Sequence, residues 1–120
     1  MDEMKNWSFK EKMTYVESLA LEYNKALVAI ENEKGAKYLE SLREDVAIYR
    51  ISDDKLSMYK NFKKLVDSIL DKLDRTEKTI LYNDFFCKSG FSWWEHVYSK
   101  STYYRLRKKS ICSFLKFFML

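Results

Sequence analysis

Apolar side chains recur at alternating intervals of four and three positions along the first quarter of the chain. The stripe begins within a Ser-x-x-Glu capping box, Ser8-Phe9-Lys10-Glu11, and it consists of Phe9, Met13, Val16, Ala20, Tyr23, Leu27 and Ile30. This spacing predicts one long helix from about Phe9 to about Glu33, with Gly35 marking a break or kink. The stripe has two interpretations, which are packing within the chain and a seam between two copies of it.

The same periodicity predicts three further helices. The second covers roughly Ala36 to Arg50, and the third begins at a cap formed by Ser52-Asp53-Asp54 and ends at about Leu73. Asp74-Arg75-Thr76-Glu77 is a second capping box, and it starts the fourth helix. We expect Ser89-Gly90 to end that helix, because Gly suits the left-handed position that follows many helices.

After Gly90 the sequence predicts a short helix and then a basic one. Ser92-Trp93-Trp94-Glu95 is a further Ser-x-x-Glu box that opens the short helix through Val97, and Ser99 or Ser101 caps the last helix. This layout is typical of a helix-turn-helix. We therefore predict an all-α fold, with an N-terminal antiparallel helical bundle in residues 1–74 and a C-terminal helix-turn-helix in residues 75–120, together in one compact unit.

Composition supports helices and shows where the charge lies. The 120 residues include no Pro and only two Gly, which is too few turn residues for a typical sheet protein, while 47% hydrophobic content is enough for a core. Residues 1–74 contain 13 Lys or Arg and 15 Asp or Glu, whereas residues 75–120 contain nine and three. The net charge of +4 is therefore the sum of −2 and +6, and a polyanion should bind the second part.

Few residues suggest catalysis or a cofactor. Cys87 and Cys112 are too few for a disulfide framework or a zinc site, and His96 has no metal ligand at suitable spacing. The chain has no Gly-rich phosphate loop, and we expect no enzyme activity, no cofactor and no metal. Its N-terminus has no apolar signal region, and the apolar tail is short and interrupted by Lys116, so we expect a cytoplasmic protein without a membrane partner.

Two faces can be assigned on the last helix from its 3.6-residue period. We expect the inward face to contain Tyr103, Leu106, Ser110, Phe114 and Phe117. The other face carries hydroxyl groups, an aromatic ring and cations suited to a major groove and its phosphates. With the adjoining Thr102 and Lys109, the candidate DNA-binding residues are Lys100, Ser101, Thr102, Tyr104, Arg105, Lys108 and Lys109.

The C-terminal part, from about Leu73 to Phe118, resembles a known group of DNA-binding proteins. Ser99-Lys100-Ser101-Thr102-Tyr103-Tyr104-Arg105 followed by a Lys-rich stretch, with the Trp93-Trp94 pair before it, is similar to the region-4-like helix-turn-helix of bacterial sigma factors and of ArpU-type phage transcriptional regulators. In its size, its lack of Pro and this motif, the chain also resembles a small family of mycoplasma proteins. The interval from Gly90 to Ser101 is shorter than in sigma factors, so either the middle helix must be short or the turn must be unusually tight.

The resemblance implies a regulator of transcription that binds duplex DNA and is either associated with RNA polymerase or of the phage type. It adds no residue role beyond those assigned above from charge and periodicity. A homodimer through the N-terminal helix would suit paired half-sites. Two other interpretations stay open: a helical protein-interaction module, and an RNA-binding protein in which an exposed member of the Trp93-Trp94 pair stacks on unpaired bases.

Overall fold

The computed structural model describes residues 6–42, 51–90 and 92–119, and the regular secondary structure of these residues is helical, with no strand among them. The elements are α1 (Phe9–Leu42), α2 (Asp53–Lys72), α3 (Arg75–Leu81) and α4 (Lys100–Phe118). Helix α3 continues without interruption into a π-helical turn, Tyr82–Phe86. The all-α prediction is confirmed.

Helix α1 begins at the predicted capping box, where Glu11 N donates to Ser8 Oγ at 3.1 Å and Ser8 N donates to Glu11 Oε1 at 3.2 Å. It then runs through Gly35, so the predicted break is wrong. One glycine costs a helix only about 1 kcal/mol relative to alanine, and the good helix formers around it outweigh that cost. The first part of the predicted second helix is thus the end of α1, and residues 43–50 lie outside the described residues.

Helices α1 and α2 form an antiparallel pair, as predicted. Tyr23 on α1 donates to Asp67 near the end of α2 at 2.7 Å, whereas Ala36 further along α1 lines the same pocket as Tyr59 near the start of α2. The N-terminal stripe packs within the chain. Its central members are buried, and its ends are partly buried against the same core. The stripe thus has an intramolecular partner, and a homodimer stays a prediction.

The predicted caps of the next helices are present. Ser52 Oγ accepts from Lys55 N at the start of α2, and Asp74 and Glu77 form a complete capping box at the start of α3. Glu77 also accepts from Ser113 on α4 through Oε2 at 2.6 Å, which fixes the start of α3 against the C-terminal half of α4. One apolar cluster draws on both halves of the chain, with Val16, Val66, Phe86 and Phe114 among its members.

The connection between the π-helical turn and α4 differs from the predicted helix-turn-helix. Residues 92–97 form consecutive turns instead of the short helix expected from the Ser-x-x-Glu pattern, and Ser92 has a positive φ of 63°. A β-branched or hydroxyl side chain rarely adopts that region, and a helix cap requires extended backbone instead. Gly90 has the expected positive φ, 98°, but it lies beyond Cys87, the cap of the π-helical turn, and does not occupy C′.

Candidate nucleic-acid interface

Helix α4 begins at Ser99, one of the two caps that the sequence allowed. Ser99 Oγ accepts from Thr102 N at 3.3 Å and donates to Thr102 Oγ1 at 2.9 Å. The Thr102 side chain is therefore half-buried and part of the cap, while Lys100 and Ser101 are exposed in the first turn. No acidic residue occupies this turn, so the positive end of the helix dipole is not neutralised from within it.

All the candidate binding residues except Thr102 are exposed to solvent. The exposed candidates are Lys100, Ser101, Tyr104, Arg105, Lys108 and Lys109. The Tyr104 ring keeps 49% of its surface accessible, although its neighbour Tyr103 is buried. The first three turns of α4 thus present cations and hydroxyl groups along one side.

The exposed face ends where α1 crosses α4. Lys108 Nζ lies 5.7 Å from the centroid of the Phe9 ring, and Lys12 Nζ contacts Cys112 Sγ at 3.9 Å. Ile111, one helical repeat beyond Tyr104 and on the same side, is fully buried. Only the N-terminal part of α4 is therefore open to a large ligand.

The predicted inward face of α4 is partly correct. Tyr103, Ser110 and Phe114 are buried, Leu106 is half-buried, and Phe117 is exposed at 37%. Ile111 and Leu115, which the stripe did not include, are fully buried. The reason is that α3 covers one side of α4, whereas α1 and α2 cover another side of its C-terminal half.

Asp84, on the π-helical turn, organises the base of the interface. Its Oδ1 accepts from Trp93 Nε1 at 2.6 Å, and its Oδ2 accepts from the Tyr103 hydroxyl. Arg107 Nε lies 3.2 Å from Oδ2 as an ion pair without hydrogen-bond geometry, and its guanidinium carbon lies 5.2 Å from the Phe85 centroid. Burial, with the hydrogen bond to Asp84, raises the pKa of the Tyr103 phenol far above its usual value.

Both carboxylates that face α4 from α3 and its π-helical extension are thus engaged inside the protein. Asp84 is shared by three side chains, and Glu77 is held by the Asp74 backbone and Ser113. Neither is available to neutralise the exposed cations of α4. The outer surface of the first three turns keeps its positive charge.

Four aromatic rings form a wall beside the start of α4. The Trp94 ring stacks on Tyr103 at 4.2 Å between centroids and 6° between planes, and Trp93 meets Tyr103 edge-on at 6.3 Å. Tyr104 packs edge-on against both Tyr103 and Trp94. Both tryptophans are half-buried, because they approach from turns rather than from a helix.

This aromatic wall closes one side of a cleft of about 370 Å³. The other side is formed by the π-helical turn and the segment after it, including Asn83, Lys88 and Gly90. Arg107 and Asp84 lie at its edge as the ion pair described above. The cleft and the basic face of α4 share Tyr104, so they form one continuous surface.

Sequence reasoning did not identify Asp84 or Arg107. In the sequence, Arg107 is one of several cations in a basic stretch. Its pairing with Asp84, which sets it apart from the others, depends on the packing of α3 and its π-helical extension against α4. One available signal was that Asp84 is among three acidic residues in residues 75–120. An isolated carboxylate in a basic region often has a specific partner.

The remaining candidates, His96 and the cysteines, do not belong to a metal-binding group within the part of the chain that the structure describes. His96 and Cys87 are exposed, and the described residues contain no group of three or more His, Cys, Asp or Glu placed to hold a metal ion. Within the described ranges, no helix combines the length and apolar content needed to cross a bilayer. No family model, no curated protein and no solved structure matches this chain.

Proposed function

We propose that the protein binds duplex DNA through the first three turns of α4 and regulates transcription. The observation that carries this proposal is the exposed set of cations on α4, which no carboxylate of α3 or the π-helical turn neutralises. Phosphate contacts from Lys100, Arg105 and Lys109 would supply most of the affinity. Ser101 and Tyr104 stand on the same surface and would contact base edges or the sugar backbone.

The covered half of α4 determines how DNA would approach. Since Phe9 and Lys12 of α1 lie against Lys108 and Cys112, the helix would enter a groove with its N-terminal residues first. Recognition helices commonly contact base edges through their N-terminal residues. The connection of 13 residues, 87–99, is longer than a helix-turn-helix turn, so the orientation of α3 over the backbone would differ from that motif.

A salt-dependent titration tests the proposal. Fluorescence anisotropy with a labelled duplex should give log affinity falling with log salt at a slope of roughly −4 to −5, which corresponds to four to six phosphate contacts. Arg105→Ala and Lys109→Ala should each weaken binding and reduce the slope by about 1. Lys64→Ala, on the exposed side of α2, is the matched control and should change neither value.

Two results would overturn the proposal. Absence of binding to genomic fragments in low salt excludes a DNA-binding role for α4. Much tighter binding of single-stranded RNA than of duplex DNA replaces the proposal with RNA binding. RNA polymerase, which the sigma-factor resemblance implies as a partner, is tested separately by asking whether the purified polymerase retains the full-length protein on a promoter fragment.

One observation favours a second candidate, a self-association module. Helix α1 exposes five large apolar side chains, each more than half accessible: Leu21, Val28, Tyr38, Leu39 and Leu42. A second copy of α1 would cover such side chains. Light scattering of the full chain should then give a dimer that Val28→Glu and Leu39→Glu dissociate without loss of helicity, and a monomer at high concentration rejects this candidate.

A further inference from the structure

The cleft beside α4 has the chemistry of a nucleotide site. We infer that it binds one unpaired nucleotide, with the base against the aromatic wall and the phosphate against Lys88. The inference deepens the proposed function and rests on it in one respect, that a nucleic acid lies on α4. The cleft itself is tested with a free mononucleotide.

The aromatic wall supplies the surface for the base. One face of the Trp94 indole is occupied by Tyr103 at 4.2 Å, which holds the indole in a fixed plane at the cleft. Tyr104 stands edge-on to Trp94 and keeps half of its surface accessible. Rigid rings held by other rings are suited to stacking, because little side-chain entropy is lost when a base binds.

The charges of the cleft favour an anion. Asp84 is neutralised by Arg107 and also accepts from Trp93 and Tyr103, so it presents little charge to the cleft. Lys88 is exposed and adds a positive charge at the opposite wall. Because Arg107 and Asp84 offset each other, Lys88 gives the residues that line the cleft a net charge of +1, suited to a phosphate group.

Size and position agree with one nucleotide. A volume of about 370 Å³ lies at the lower end of the range for small-molecule pockets. The cleft is continuous with the basic face through Tyr104, so a strand on the α4 phosphate contacts could place an unpaired base in it. A duplex would have to unstack that base, whereas a single-stranded end or a damaged site would not.

The test uses deoxyadenosine 5′-monophosphate and the full-length protein. Indole N–H signals of Trp93 and Trp94 in a ¹⁵N correlation spectrum should shift saturably, while that of Trp7, which packs on Tyr15 near the start of α1, should stay in place. Deoxyadenosine should bind more weakly than the monophosphate, because it lacks the charged group. Tyr104→Ala and Lys88→Ala should each weaken binding about fivefold or more.

Matched controls distinguish nucleotide binding in the cleft from nonspecific attraction to positive charge and from binding to the proposed DNA-binding face of α4. Tyr38→Ala and Lys64→Ala replace exposed residues of the same two types on α1 and α2 and should leave the dissociation constant unchanged. Lys109→Ala should weaken duplex binding but not mononucleotide binding. Loss of nucleotide binding in Tyr38→Ala or Lys64→Ala, or no saturable indole shift at millimolar nucleotide, overturns the inference.

A second arm identifies the source of the nucleotide. A short oligo(dA) strand should bind more tightly per nucleotide than the monophosphate, with the same dependence on Tyr104. Weaker binding of the strand overturns the strand assignment in favour of a free nucleotide. If the protein binds the nucleotide but not duplex DNA, the proposed function is wrong, while the inference that the cleft binds a nucleotide stands.

Discussion

Tyr103 on α4 donates its hydroxyl hydrogen bond to Asp84, which lies 19 residues earlier in the chain on the π-helical turn. The same carboxylate holds Trp93 and Arg107, so one side chain ties the turn, the connection and the start of α4 together. A π-helical turn is uncommon and often accompanies a specific site. Here it includes Asp84, the residue that organises the base of the candidate interface.

Removing that carboxylate should lower stability sharply. The Asp84 side chain is only 9% exposed, and Asp84→Ala leaves Arg107 and two hydrogen-bond donors without their acceptor. We expect a loss of about 2–4 kcal/mol in the free energy of unfolding, measured by urea denaturation. Asp71→Ala breaks the exposed ion pair with Lys78 and should cost less than about 1 kcal/mol. Equal losses in the two variants would contradict the central role of Asp84.

Two buried phenols should make the protein sensitive to alkali. Burial, together with hydrogen bonds to Asp67 and Asp84, raises the pKa values of Tyr23 and Tyr103 above the usual value of about 10. Above pH 10 the unfolded chain loses these protons first, so the stability they provide is complete below that pH and falls as pH rises. Tyr103→Phe should lower stability near neutral pH by about 1 kcal/mol, and its difference from the wild type should shrink above pH 10.

The control for the alkaline measurement is Tyr38→Phe, because Tyr38 is exposed on α1. Its stability should follow that of the wild type across the titration, as monitored by circular dichroism melting. A constant difference between Tyr103→Phe and the wild type from pH 8 to pH 11 would show that the Tyr103 proton is not linked to folding.

Local signals predicted the helix starts, and contacts between distant residues decided the rest. The caps at Ser8, Ser52 and Asp74 were correct, because each depends on residues within three positions. For the last helix the sequence left Ser99 and Ser101 open, and Ser99 is the cap. The Ser92 box was not a cap, although its pattern is the same. Its backbone follows the connection around Trp93 and Asp84, and that contact spans nine residues.

The sequence predicted the exposed residues of the candidate site but not the buried residues that support them. Exposure of Lys100, Tyr104 and Arg105 follows from helical periodicity and charge. The positions of Asp84 and Arg107 depend on how α3 packs on α4, and a period within one helix contains no information about that packing. The same limit explains why Ile111 was not recognised as core.

The two glycines should respond in opposite ways to alanine. Gly35 lies in the interior of α1, and an added Cβ would meet nothing within 4 Å, so Gly35→Ala should stabilise the protein by about 0.5–1 kcal/mol. Gly90 also has free space, but its φ of +98° is unfavourable for any side chain. Gly90→Ala should therefore cost about 1–2 kcal/mol. Thermal melts compare the two, and a Gly35→Ala protein that melts below the wild type would indicate that α1 is not continuous there.

Ile111 and Arg105 test where the exposed face of α4 ends. Ile111 is fully buried beneath α1, so Ile111→Ala should lower the free energy of unfolding by about 2–5 kcal/mol. Leu106 is half-buried, and Leu106→Ala should cost about 1–2 kcal/mol. Arg105→Ala removes an exposed side chain and should stay within about 0.5 kcal/mol of the wild type. If Arg105→Ala destabilised the protein as much as Ile111→Ala does, the start of α4 would be part of the core, and a nucleic acid could not reach it without unfolding the helix.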